Sequence, residues 1–163
     1  MWKQLIIFKK QFTPILLFTP ILLSNLLLFH QEHFSSLAKS FSNGNLWIQE
    51  IPPDPLDFAY FQGKYYLPLG PFPAILLTPF SYFNNANFYI RALKLILNLL
   101  NFYLIFQIAK SLKLSKEKAL LIASFFEFGS SYTSVAVLPF STYLSHVVTT
   151  TLLLLSLLEF LIA

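Results

Sequence analysis

The chain has 163 residues, of which 56% are hydrophobic, 18% aromatic and only 11% charged, against about 25% charged in ordinary globular domains. So few charges cannot keep the surface of a soluble domain of this size dispersed, and the composition points to an integral membrane protein. The net charge of +4 does not signal nucleic acid, because the basic residues sit at the edges of apolar runs rather than along a stripe. The absence of cysteine excludes a disulfide framework, a thiolate nucleophile and a Cys-ligated metal. His30, His33 and His146 are too scattered for a dedicated metal motif.

Four stretches are predicted to span. The first, 12–29, follows the basic Lys3, Lys9 and Lys10; the uncharged run from Gln11 to Gln31 is longer than a signal-peptide core and reads as a retained anchor. The second, 88–108, carries Arg91 and Lys94 in its first turns. The third, 119–138, fades at Pro139, and the fourth, 143–163, stops while still apolar, as in a chain cut short before further helices. Leu67 to Phe83 is apolar but short, with Pro68, Pro71, Pro73 and Pro79. If it lies in the interface, as a helix over 70–83, then Lys3, Lys9, Lys10 and the lysines at 110, 113, 116 and 118 share one side, as the positive-inside rule requires. The expected fold is therefore all-α: one polytopic transmembrane bundle over 1–163, N-terminus inside, with an outer loop over 30–87 that carries short interfacial helices.

That loop is the informative part. It holds four of the seven acids (Glu32, Glu50, Asp54, Asp57), two histidines and a wall of aromatics, a composition that packs at a membrane surface rather than staying disordered. Ser35 to Lys39 reads as a helical turn, and Asn43-Gly44-Asn45 and Gln62-Gly63-Lys64 read as turns. Glu32, beside His30 and His33, stands at the mouth of the first span, where partial desolvation makes a carboxylate a usable general base; the alternative is an ordinary charge marking a helix end. Asp57 is a lone acid among aromatics, followed by Lys64, Tyr65 and Tyr66. Lysine suits a phosphate, and aromatic faces suit a sugar ring; the alternative is headgroup anchoring. Pro68-Leu69-Gly70-Pro71-Phe72-Pro73 is an architectural step into the interfacial helix. Glu127 and His146 fall in or near the third and fourth spans, where ionisable residues are costly and so become functional hypotheses.

Glu32-His33-Phe34, Leu37-Ala38-Lys39-Ser40-Phe41, Asn43-Gly44-Asn45-Leu46, the run from Asp57 to Tyr66 and the proline-rich step at 68–74 together resemble the amino-terminal part of the polytopic GT-C glycosyltransferases. This superfamily includes protein mannosyltransferases and bacterial lipid-sugar transferases. Phe128-Gly129-Ser130-Ser131-Tyr132 and Ser145-His146-Val147-Val148 are similar to a second outer loop in some bacterial members. The resemblance covers nearly the whole chain through loose motifs, and it departs from the family at two points: Gln31 stands where an acidic neighbour of Glu32 is usual, and the arginine and aspartate that many members place in the second outer loop are missing, with His146 standing there instead.

The resemblance implies an inverting transferase in the bacterial inner membrane, acting on the outer face. The sugar would come from a polyprenyl-phosphate donor and pass to a lipid, glycan or protein acceptor. Glu32 or Asp57 would serve as general base, with His33, Lys64, Tyr65, Tyr66, Arg91 and His146 binding substrate. The leaving phosphate needs a cation, for which Lys64, Arg91 and Lys94 are the candidates. No cofactor is required, and nothing in the spacing demands a divalent metal. The competing expectation is a non-enzymatic polytopic protein, a transporter fragment or assembly subunit, for which Glu127 and Pro139 are the pointers.

Overall fold

The computed structural model describes residues 33–52, 55–83 and 85–163, together with Thr19, Ile21, Leu23, Leu27, Leu28 and Gln31. The predicted first span at 12–29 therefore lies outside the described residues apart from five positions within it. Of these, Ile21 is fully buried in the core. The elements are α1 (His33–Ser42), β1 (Ala59–Phe61), β2 (Lys64–Tyr66), α2 (Phe72–Leu77), α3 (Ala86–Ser111), α4 (Lys116–Gly129), α5 (Tyr132–Val137) and α6 (Ser141–Ile162). Short 3₁₀ turns lie at Pro55–Asp57 and Thr78–Phe80. The chain is mostly helical, as expected, with one small antiparallel hairpin that the all-α reading lacks.

Among the described residues two helices, α3 and α6, are long and apolar enough to cross a membrane. At 1.5 Å per residue they extend ~39 and ~33 Å, which exceeds the ~30 Å hydrocarbon thickness. Their observed ends lie within three residues of the predicted 88–108 and 143–163. Asn85 caps α3 by accepting from the Phe88 amide at 3.1 Å. The two helices pack against each other, and α4 packs on α3.

The middle stretches of α3 and α4 carry their polarity inward. Lys94, Asn98, Asn101 and Glu127 are completely buried, whereas Ile96, Tyr103, Leu121, Phe125, Leu153 and Phe160 are more than half exposed. That distribution is inverted relative to a water-soluble protein and suits an apolar solvent around the bundle.

α3 ends in a Schellman turn. The Lys113 amide donates to the Lys110 carbonyl at 2.9 Å and the Leu114 amide donates to the Ala109 carbonyl at 3.3 Å, with Lys113 at φ 63° in the left-handed region. Lysine there carries a Cβ penalty that glycine avoids. Lys113→Gly is expected to stabilise the fold by about 1 kcal/mol, read as a higher unfolding midpoint in detergent. An unchanged or lower midpoint would contradict the turn as described. Ser115 then caps α4, accepting from the Lys118 amide at 3.4 Å, with Glu117 favourably placed in the first turn.

The predicted third span is not one helix. The chain breaks at Ser130–Ser131, dividing 119–138 between α4 and α5; α4 reaches only ~21 Å along its axis, too short to cross alone. The break satisfies its own backbone groups. The Ser130 hydroxyl donates to the Phe126 carbonyl at 2.6 Å and accepts from the Tyr132 amide at 3.1 Å, and the Thr133 hydroxyl donates to the Glu127 carbonyl at 3.0 Å. An apolar solvent permits a broken helix only on such terms.

Beyond the break, α3 serves the far end of α5. The last carbonyls of any helix lack partners within it. Here the Lys94 ammonium donates to the Leu138 carbonyl, and the Asn98 amide donates to the Ala136 carbonyl at 3.5 Å. Lys94, Asn98 and Asn101 follow a spacing of four and three residues, which places them on one face of α3. The polarity of Lys94 and Asn98 is thus accounted for by the broken helix they face.

Segment 33–83 folds over this bundle. Phe34, Leu37 and Ala38 bury the inner face of α1, and Ala74 and Leu77 that of α2. Pro71 and Pro73 flank the start of α2, where a preset φ and a missing N–H cost nothing. The predicted interfacial helix over 70–83 is shorter: α2 ends at Leu77 and tightens into the 3₁₀ turn that contains Pro79. The hairpin pairs Ala59 with Tyr66, Tyr60 with Tyr65 and Phe61 with Lys64. Gln62 and Gly63 both have positive φ (48° and 77°), as a type I′ turn requires.

Candidate functional site

The segment that holds α1 and the hairpin brings two of the predicted site residues together. His33 opens α1, and Asp57 closes the 3₁₀ turn that begins at Pro55. Their side chains meet at 3.5 Å, Nε2 to Oδ2, with Asp57 about half exposed and His33 mostly covered. The ring of Phe58 stands edge-on to the His33 imidazole at 4.9 Å between centroids, which fixes the ring plane.

The pair lines a cavity of about 280 Å³ whose other walls are Gln31, Leu67, Pro68, Leu69, Phe140, Ser141 and Thr142. The proline-rich step therefore does more than introduce a helix: Leu67, Pro68 and Leu69 form the apolar side of this cavity. The polar side is the start of α6, where Ser141 and Thr142 line the wall.

Gln31 joins the two halves of the cavity. Its side-chain oxygen accepts from the Ser141 amide at 3.0 Å, and its own amide donates to the Pro139 carbonyl at 3.1 Å. The Ser141 hydroxyl returns a bond to the Gln31 carbonyl at 3.4 Å. The helix cap residue, Phe140, has no side chain able to cap, so Gln31 supplies that function from 110 residues away. Gln31 thus has a structural role in this chain. Glu32, the neighbouring candidate base, lies outside the described residues, as does His30.

The remaining predicted ligands do not line this cavity. Lys64 places its ammonium 3.6 Å from the centre of the Trp47 ring, a cation–π contact at the end of the hairpin. Tyr65 packs on Tyr60 at 5.0 Å between centroids, and its carbonyl accepts from the Ile48 amide at 2.8 Å. Tyr66 lines a separate cavity of about 260 Å³ with Leu37, Phe41, Leu46, Leu67, Leu69 and Pro71. Arg91 donates to the Leu28 carbonyl at 3.1 Å. His146 is exposed on α6 and meets Tyr143 edge-on at 6.3 Å. Lys94 is held by the carbonyl of Leu138, inside the bundle.

Among the described residues no group of three or more His, Cys, Asp or Glu side chains could hold a metal ion. Sequence reasoning missed Ser141 and Thr142 as site residues. Their signal was positional: Pro139 predicts a helix start directly after it, and that start faces the loop. No protein-family profile, curated protein or solved structure matches this chain.

Proposed function

We propose that the chain belongs to an integral membrane glycosyltransferase that moves a sugar from a polyprenyl-phosphate donor to an acceptor on the outer face of the membrane. One observation carries the reading. An acid–imidazole pair, His33 and Asp57, opens into a cavity with one apolar wall, at the end of a helix long enough to cross the bilayer.

In that reading Asp57 Oδ2 takes the proton of the acceptor hydroxyl as its oxygen attacks the anomeric carbon. The bond from that carbon to the phosphate oxygen breaks on the opposite side, which inverts the anomeric configuration. His33 keeps the carboxylate aimed at the cavity. Charge develops on the departing phosphate, and the Thr142 hydroxyl at the start of α6 meets it. This replaces the cation expected from Lys64, Arg91 or Lys94, each of which is engaged elsewhere. The prenyl chain would lie along the exposed apolar faces of the bundle, supplying binding energy remote from the reacting bond.

The test is direct. Membranes containing the full-length protein are incubated with a panel of radiolabelled polyprenyl-phosphate sugars, and label is followed into lipid, glycan and protein fractions. Transfer above membranes lacking the protein is expected for at least one donor. Absence of both transfer and donor consumption across the panel would overturn the proposal.

A further inference from the structure

A polar cavity on α1 shares no residue with the one beside His33 and Asp57. It holds about 260 Å³, between α1, Glu50 and the stretch that leads from the end of α2 into the first turn of α3. Ser35, Ser36 and Lys39 line it from α1, where spacings of three and four residues put the lysine on the same face as the two serines. Ser81, Phe83 and Tyr89 line it from the other side. At its edge Lys39 Nζ donates to Glu50 Oε1 at 2.9 Å. Glu50 is set there by its neighbours: Gln49 Oε1 accepts from Asn43 Nδ2 at 2.8 Å, and the Ile48 amide donates to the Tyr65 carbonyl at 2.8 Å.

The depth of this cavity limits what can enter it. α3 is longer than the hydrocarbon layer is thick, so its first turn stands among the headgroups. Tyr82, Phe83 and Phe88 are more than half exposed there, as in the aromatic belts that mark this level. The molecules most abundant at that level are phospholipids. The Lys39–Glu50 pair is itself mostly exposed, and such a pair adds little to stability. Among the described residues it uses one ammonium proton and one carboxylate oxygen, which leaves two Lys39 protons and Glu50 Oε2 to a ligand. One fixed cation beside one fixed anion matches a ligand that carries both charges. A phosphate suits Lys39 and the serine hydroxyls, and an ammonium suits Glu50. A purely anionic headgroup brings Glu50 no counter-charge, and a trimethylated one brings it no N–H.

We propose that this cavity binds the headgroup of one zwitterionic aminophospholipid, of the phosphatidylethanolamine class. Lys39 and the hydroxyls of Ser35, Ser36 and Ser81 hold the phosphate, and Glu50 receives the ammonium. The acyl chains then lie along α3. Phe88, Ile96, Leu99 and Tyr103 are all exposed, and at 100° per residue they share one arc of the helix, beside the arc of Ala86 and Tyr89 that lines the cavity. The bound lipid ties α1 to the first turn of α3. The site takes no part in sugar transfer and stands or falls apart from that reading.

The probes are phosphatidylethanolamine, phosphatidylcholine and phosphatidylglycerol with identical acyl chains. The full-length protein is equilibrated in mixed micelles that hold the three in equal amounts, and the lipid retained is counted by native mass spectrometry. One phosphatidylethanolamine per chain is expected, preferred about tenfold over each of the others. Glu50→Gln should erase its advantage over phosphatidylglycerol, and Lys39→Gln should weaken both lipids about tenfold. Both side chains are exposed, so both variants should fold, and Asp57→Asn should retain the lipid as the wild type does. Equal retention of the three lipids by the wild type would overturn the proposal, as would a preference that survives both variants. Displacement of the lipid by an equal concentration of soluble phosphoethanolamine would also overturn it, because the acyl chains would then contribute nothing.

Discussion

Asp57→Asn is expected to lower sugar transfer by about 10²- to 10⁴-fold, the usual contribution of a positioned general base, with membrane insertion and protein level unchanged. The substitution keeps the size and hydrogen-bonding reach of the side chain but removes its ability to accept a proton. Asp57 is about half exposed, and its one ion-pair contact among the described residues is with His33, so the fold should tolerate the change. His33 acts through Asp57 in this scheme and is a positioning residue. His33→Ala alone should therefore cost about tenfold, while the double variant should be no slower than Asp57→Asn. Independent, multiplicative losses would show that His33 has a separate role. Wild-type transfer by Asp57→Asn would remove Asp57 from catalysis and leave Glu32 as the base.

The second large effect is on stability. Tyr132→Phe removes one hydroxyl that accepts from Asn101 and donates to Asn98. Both amides are completely buried, so Asn98 Oδ1 loses its donor and Asn101 Nδ2 keeps only the longer bond to Val147. An orphaned buried polar group costs ~1–3 kcal/mol, and the loss should appear as a lower midpoint in detergent unfolding. A combined replacement of Asn98 and Asn101 by leucine with Tyr132→Phe leaves no orphan on these three side chains but takes the Asn98 donor from the Ala136 carbonyl, so it should recover only a small part of that loss. This asymmetry separates a satisfied polar network from packing around a tyrosine ring. A triple variant worse than the single would show that the network is itself strongly stabilising.

The long helices were legible in the sequence because uninterrupted hydropathy over twenty residues has one common cause. The residue pattern reached the ends of α3 and α6 within a turn. The break at Ser130–Ser131 was not legible from hydropathy, because Tyr132 to Val137 is as apolar as what precedes it. The usable signal was Gly129-Ser130-Ser131, where two hydroxyls stand ready to replace backbone partners. Lys94 read as a charge near a helix end, since its neighbours Leu93 and Leu95 give no hint of burial. Only the spacing to Asn98 and Asn101 reveals the shared face, and only the broken α5 explains it. The hairpin was half legible: Gly63 announced a turn, whereas positive φ at Gln62 has no sequence signal. Asp57 and His33 were singled out separately, and their meeting depends on a 24-residue separation that no local pattern encodes.

The bond from Gln31 to Ser141 also bears on how the protein is made. A ribosome delivers the chain from its amino end at a few residues per second. The cavity beside His33 and Asp57 cannot close until Ser141 has emerged, since Ser141, Thr142 and Phe140 form its far wall. Everything from His33 to Val137 must wait in or on the bilayer with that wall missing. A nascent chain stalled before α6 would thus display the acid and the imidazole without a chamber between them. In the proposed reading the chamber is complete only once Ser141 has been made, 110 residues after the glutamine that reaches it.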